Sequence, residues 1–351
     1  VDDAENAMCV GVELVHGTQW WPPGYRMWEL FSALVHLFEI KCASPGSVAA
    51  FMGVVQWYDL LQRCKLSVYD RVYGFARNAK DWKPQKVPDE VLLELLIGIV
   101  LGAFWCVDMT KPHLPFIGAT DASHVYGHGA CVAPLHDTSI RQLASLDVKA
   151  GDFVTLAGAL PHGTPKPRLG KPTKLGLGLS QFRVVLSLRV CAPDHINIEE
   201  GRAFLRYLRW VLRSPSRFGH RVVVLVDSRV WICALTKGRS GSWNLNRLLR
   251  RAAALTLAAG LTLHVIYVPS EFNPSDWPSR GGPSSWPPEL GRGPKIAKSK
   301  RANASERLLA QRDACWRRLV ETGMVHGSEL DESSSGSVGS SVVCASSTDD
   351  F

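Results

Sequence analysis

Twice in this sequence an apolar run ends in an aspartate followed by a small residue: FIGATDAS at 116–123 and RVVVLVDS at 221–228. A short unbroken apolar run is what a strand covered on both faces looks like, and such strands belong to α/β sheets flanked by helices. In those sheets the side chains at the strand carboxyl ends emerge into a crevice where ligands bind, which places Asp121 and Asp227 at such an edge. If the two strands are neighbours, their carboxylates lie side by side. Taken singly, an aspartate after a strand serves equally well as a turn former or helix cap.

The surrounding order supports an α/β reading. GHGACVAPL at 127–135 follows closely enough to make a hairpin, and FRVVLSLRV at 182–190 alternates as a third strand. HINIEEGRAFLRYLRWVL then starts a helix with Ala203, Phe204, Tyr207, Leu208 and Val211 on its buried stripe. After 221–228, the turn KGRSGSW opens a helix over 245–259 with Gly260 at its stop, and 261–268 is the fifth strand. The pattern predicts a hairpin set joined to a right-handed βαβ crossover. Residues 137–180 show no regular pattern, and PHGTPKPRLGKPTKLGLG at 161–178 reads as a Pro/Gly/Lys-rich loop.

Upstream, 1–110 is mainly helical. MCVGVELV at 8–15 reads as a short buried strand. A helix over 25–40 aligns Met27, Leu30, Phe31, Leu34, Leu37 and Phe38, and Ser44 with Pro45 starts the next one. The apolar run 91–107 carries Glu94 and is slightly short for a membrane span, so a buried helix is expected there. Downstream of Gly281 come a basic linker (291–300), a helix begun by Asn303 with Glu306 and running to about 322, and a serine-rich disordered tail. The division expected is 1–110 helical, 111–282 α/β, 283–325 linker and helix, and 326–351 tail.

A net charge of +8 favours a polyanionic partner, and nine cysteines without a CxxC spacing argue against zinc and against a disulfide scaffold. Reduced thiols and the absence of a secretory signal in VDDAENAM point to an intracellular protein, cytoplasmic or nuclear, and no membrane partner is expected. The missing initiator Met suggests a piece of a longer polypeptide.

Two further acids recur in marked settings. Glu200 precedes Ala203 and Phe204 by three and four positions and so shares the helix face that packs on the sheet. Asp276 follows the fifth strand and an Asn-Pro turn. Glu199 adjoins Glu200, and a shift of one in helix phase would exchange them; Glu200 taken alone also serves as a first-turn acid opposing the helix dipole. Clustered carboxylates repel one another and lose solvation, so they are tolerable mainly around a cation. An all-oxygen donor set points to Mg²⁺ or Mn²⁺, and two such ions ~4 Å apart suit in-line attack on a phosphodiester.

TDAS with the Gly127/Gly129 strand, HINxxE, VLVDS and the closing VPSEFNPSDWPSR resemble the ribonuclease H domain of retroelement reverse transcriptases, DIRS-type elements above all. CVGVEL at 9–14 and VAAFMGVVQWYDLL at 48–61 resemble the strand after the polymerase palm and a thumb/connection helix. The resemblance covers about residues 8–281. It implies a ribonuclease H-like five-stranded mixed sheet with flanking helices, preceded by a thumb/connection region. It also implies a metal-dependent endonuclease that cuts the RNA strand of RNA–DNA hybrids as part of a reverse transcriptase polyprotein, with Asp121, Glu200, Asp227 and Asp276 as catalytic metal ligands. Polymerase activity and a small-molecule cofactor are not expected. Lys166, Arg168, Lys171 and Lys174 are candidates for phosphate contacts, and Trp243 with Arg247 for the DNA strand, although such residues are equally often plain surface. His264, inside the fifth strand, is expected to be a core or edge residue. The competing expectations are an inactive hybrid-binding remnant and another nuclease of the same fold.

Overall fold

The computed structural model describes residues 6–146, 152–157 and 170–282. Helices dominate its first part. α1 (Gly24–Ile40) follows Pro22–Pro23 and turns Met27, Leu30 and Leu34 inward, as the spacing predicts. α2 (Pro45–Asp59) is capped by Ser44, whose Oγ accepts the Ser47 N–H at 3.0 Å. α3 (Asp89–Val100) buries Val91, Leu92 and Leu95 but leaves Leu93, Ile97 and Val100 exposed. The buried helix expected over 91–107 is thus a half-exposed helix ending in a 3₁₀ turn, Leu101–Phe104. An apolar run alone does not distinguish one covered face from two. Its one acid is structural: Glu94 Oε2 accepts the N–H groups of Asp70 (2.8 Å) and Val72 (3.0 Å), where a one-turn helix begins. The buried strand expected at 8–15 is instead a hairpin, Ala7–Cys9 with Val12–Val15, exposed or half-buried and turning at Val10 and Gly11, both with positive φ. Among the described residues no helix is long and apolar enough to cross a membrane.

The second part is an α/β unit. Its strands are β1 (His113–Ala122), β2 (Gly127–Pro134), β3 (Arg183–Arg189), β4 (Arg221–Val226) and β5 (Thr262–Tyr267). They form a five-stranded mixed sheet in the order β3-β2-β1-β4-β5. β2 is antiparallel to β1 and β3, whereas β4 is parallel to β1 and β5. Around it lie α4 (Asp137–Ala144), α5 (Ile196–Val211), α6 (Arg229–Lys237), α7 (Trp243–Ala258) and the short α8 (Asp276–Ser279).

Both sheet faces are covered, which is why β1 and β4 read as unbroken apolar runs. On one face Phe116, Val222 and Val224 pack against Phe204 and Leu208 of α5 and Leu245 and Leu249 of α7. On the other, Ile117, Ala119, Val223, Leu225 and Ile266 meet Ile140 and Leu143 of α4 and Val154, Leu156, Leu175 and Leu177. The last four stand on two short parallel strands, Phe153–Ala157 and Pro172–Gly178. The irregular stretch expected over 137–180 is therefore corrected at its described residues, where a helix and a strand pair roof the second face; 147–151 and 158–169 of that stretch lie outside the described residues. The glycines and prolines around Leu175 and Leu177 diluted an alternation only two residues long. α6 also escaped the sequence reading; it is short, and only Trp231 and Ala234 are buried on it. The expected linker, helix and tail beyond 283 lie outside the described residues.

Glycines on β1 and β2 permit close approaches. A Cβ on Gly118 would come within 2.1 Å of the Tyr207 hydroxyl oxygen on α5, and one on Gly129 within 2.4 Å of the Ser275 carbonyl. The helical part is tied to α7 through its backbone: Asn246 Nδ2 donates to the Ser67 carbonyl at 3.0 Å, and Arg250 donates to Ser67 at 2.7 Å and to Val68 at 3.1 Å. Below this joint a fully buried Lys65–Asp59 pair, 2.6 Å apart, is shared by the Trp105 indole N–H.

Candidate metal centre

The sheet register delivers the first two acids. β4 runs parallel beside β1 with Val226 opposite Thr120, so Asp121 and the next residue after β4, Asp227, leave the sheet together. Glu200 arrives from α5 on the turn before Ala203 and Phe204, which are packed on the sheet. Carboxylate oxygens of Asp121, Glu200 and Asp227 lie within 4.8 Å of one another. Asp121 and Glu200 are buried, and Asp227 is half-buried at the open side.

Asp276 is at the same edge but outside this trio. It opens α8, and its Oδ2 accepts from Arg280 Nε at 2.8 Å. Its charge still acts on the other three carboxylates. The segment around it closes the centre. Ser279 Oγ donates to Asp121 Oδ2, Ser270 Oγ donates to Asp227 Oδ2 at 2.7 Å, and Asn273 Nδ2 donates to the Thr120 carbonyl at 3.0 Å. Sequence reading missed these three residues. Serines and asparagines in a turn-rich stretch carry no signal of the carboxylate they reach.

Burial first, and then the charges of Asp227, Glu200 and Asp276, raise the Asp121 carboxyl well above its ordinary range. Glu200 is raised by burial and by Asp227, and Asp227 by burial, opposed by the Ser270 hydroxyl. Three acids that oppose one another's ionisation call for a counter-charge. Two oxygens await a partner: Glu200 Oε2 and Asp227 Oδ1 are buried without a hydrogen bond. The donor set is all oxygen, which fits a hard divalent cation. The nearby Cys131 thiol does not join it; burial pushes its pKa up to about 12, and its Sγ sits 3.5 Å from the Pro274 carbonyl.

The ambiguity between the two glutamates is resolved by their partners. Glu199 Oε2 contacts His128 Nε2 at 2.7 Å, and Oε1 accepts from the Asp194 N–H (2.8 Å) and Arg202 (2.6 Å). Burial raises the Glu199 carboxyl, but these donors outweigh it and hold it below its ordinary value. Glu199 is thus saturated and fixes the start of α5 against β2, leaving Glu200 to the trio.

Of the residues read as nucleic-acid contacts, Lys166 and Arg168 lie outside the described residues. Lys171 and Lys174 are exposed, but Lys174 sits on a strand rather than in a loop. Trp243 is exposed in the first turn of α7, with the Arg247 guanidinium 5.5 Å from its ring. His264 is on β5, as expected, its ring 5.8 Å from that of His113. Comparison with protein-family models finds no match for this chain, and comparison with curated proteins finds none.

Proposed function

We propose that this protein is a divalent-metal-dependent endonuclease of the ribonuclease H-like fold that cuts the RNA strand of RNA–DNA hybrids. In this reading it is a portion of a retroelement reverse transcriptase, and residues 1–110 correspond to the thumb/connection region. The observation that carries the reading is the Asp121–Glu200–Asp227 trio at the carboxyl ends of adjacent parallel strands, with two of its oxygens unpartnered.

Asp121, Glu200 and Asp227 would hold Mg²⁺ or Mn²⁺ as one or two ions, with Asp276 completing the acidic edge. When bound, the metal supplies a water activated for attack and charge stabilisation on the leaving oxygen. The chain's part is to orient. Ser279 and Ser270 each occupy one carboxylate oxygen and so fix which oxygens face the cation. Burial under α5 and α8 keeps the donors from needing to reorganise. Arg280 holds Asp276 in place. Lys171, Lys174, Trp243 and Arg247 supply backbone contacts in this reading, and 2′-hydroxyl and groove-shape contacts select the hybrid.

One assay tests it: cleavage of matched RNA–DNA, RNA–RNA and DNA–DNA duplexes with Mg²⁺ or Mn²⁺. The RNA strand of the hybrid is cut, and Asp227→Asn lowers the rate more than ~100-fold, beyond what loss of an outer-sphere partner costs. Cutting retained in Asp227→Asn removes the metal centre, and equal cutting of duplex DNA removes the hybrid preference.

A further inference from the structure

Between the helical part and α6 runs an open groove of about 830 Å³. One wall is the stretch from Tyr69 to Arg77, and the other carries Arg229, Lys237 and Arg239. The four cations Arg77, Arg229, Lys237 and Arg239 are all exposed, and Asp70 is the one carboxylate among the lining residues. Arg229 and Lys237 stand eight residues apart on α6 with Cys233 midway, so they share one helix face. Two guanidinium groups are held against aromatic rings: Arg239 is 4.5 Å from the centroid of Tyr73, and Arg229 is 4.4 Å from that of Tyr267. Such stacking fixes a flat donor fork before any anion arrives.

Arg229, which lines the groove, follows Asp227 by two residues in the chain. From there α6 rises ~1.5 Å per residue, about 12 Å over the stretch between Arg229 and Lys237. That matches three to four nucleotide steps at ~3.4 Å per strand. A row of exposed, partly pre-oriented cations of this length suits a repeating anion and is too polar for an apolar ligand.

We propose that this groove seats the phosphodiester backbone of a nucleic acid as it runs on from the carboxylates, which makes Tyr73 and Arg77 of the helical part members of the substrate-binding surface. The proposal rests on the nuclease reading for the identity of its ligand, but its test does not need cleavage. Binding of a fluorescent RNA–DNA hybrid of about two helical turns is measured in EDTA over a salt series. Arg77→Gln/Lys237→Gln/Arg239→Gln weakens binding more than ~10-fold at low salt, and its salt slope becomes shallower by about two to three. The matched control Arg26→Gln/Lys41→Gln/Lys86→Gln, exposed cations outside the groove, leaves both nearly unchanged. An equal loss in the control, no loss in the groove variant, or equal binding of a polyglutamate peptide overturns the assignment. A second measurement uses the exposed Cys233 thiol on the groove wall. A bulky maleimide blocks binding to the native chain and not to Cys233→Ser; undiminished binding after native Cys233 is labelled also overturns it. A chain that binds here yet fails to cut would leave the groove standing and the nuclease reading refuted.

Discussion

Asp121 is positioned by a serine that reaches it from the other end of the α/β unit, and this bond is the most direct residue-scale test of the centre. Ser279→Ala frees Asp121 Oδ2 and is expected to lower cleavage by ~10–100-fold and to raise the metal concentration needed, as loss of an outer-sphere partner does; a metal titration of the rate checks it. Mutual repulsion gives a second expectation. In EDTA, Asp227→Asn relieves the crowding and raises the melting temperature by a few degrees, at about 2–4 °C per kcal/mol for a chain of this order. Added Mg²⁺ or Mn²⁺ then stabilises the native chain more than the variant, which calorimetry distinguishes. Away from the centre, His264 is held below its ordinary pKa by burial and then by Arg221 and His113, and His113 by burial and then by Arg221 and Arg141. Each therefore holds its proton less readily in the fold than in the unfolded chain, so unfolding takes up protons as pH falls through the ordinary histidine range. Their contribution is present above pH ~6.5 and is lost as pH falls below it. Melting temperatures between pH 7 and 5 should fall less steeply in His264→Gln. At this scale the sequence disclosed Asp121 and Asp227 because strand ends are visible in an apolar run. It left Glu199 and Glu200 interchangeable because His128, which takes Glu199, comes from another strand.

Among the elements, β1 and α5 are matched through one missing side chain. Gly118→Ala forces the Tyr207 ring off the sheet and is expected to destabilise by ~1–3 kcal/mol, the usual range for overpacking. Because Tyr207 and Glu200 share α5, metal affinity falls with it; denaturant titration and metal binding measured together check both. The central strands, α5 and α7 were legible because their periods are long and undiluted. α6 and the roof built from α4 and its two strands were not, since each is short and is held by long-range packing: α6 through Trp231 and Ala234 on the face of Val222, Val224 and Val226, and the roof on Val223, Leu225 and Ile266. The half-exposure of α3 was hidden for a similar reason: what covers a helix face is a property of its neighbours.

For the whole molecule, the joint between the helical part and α7 rests on backbone carbonyls rather than on an apolar seam alone. Asn246→Ala leaves the buried Ser67 carbonyl with Arg250 as its remaining side-chain donor and is expected to destabilise by ~1–3 kcal/mol. Hydrogen exchange or limited proteolysis should show the helices around Ser67 loosening before the sheet does. The groove of Tyr73 and Arg239 would widen with them, so hybrid binding should weaken in the same variant.

The closing segment has a consequence for how the molecule comes into being. Asn273 and Ser279 fasten onto β1, while Ser187 on β3 donates to the Pro278 carbonyl at 2.9 Å. A ribosome reads these residues after every strand of the sheet has been made. A nascent chain stalled at Tyr267 would carry all five strands and three of the acids without the Ser270 and Ser279 hydroxyls that fix Asp227 and Asp121. If the proposed nuclease reading holds, the acidic edge is completed only by the last few codons of the unit, and a growing polypeptide would not cut nearby nucleic acid until they are translated.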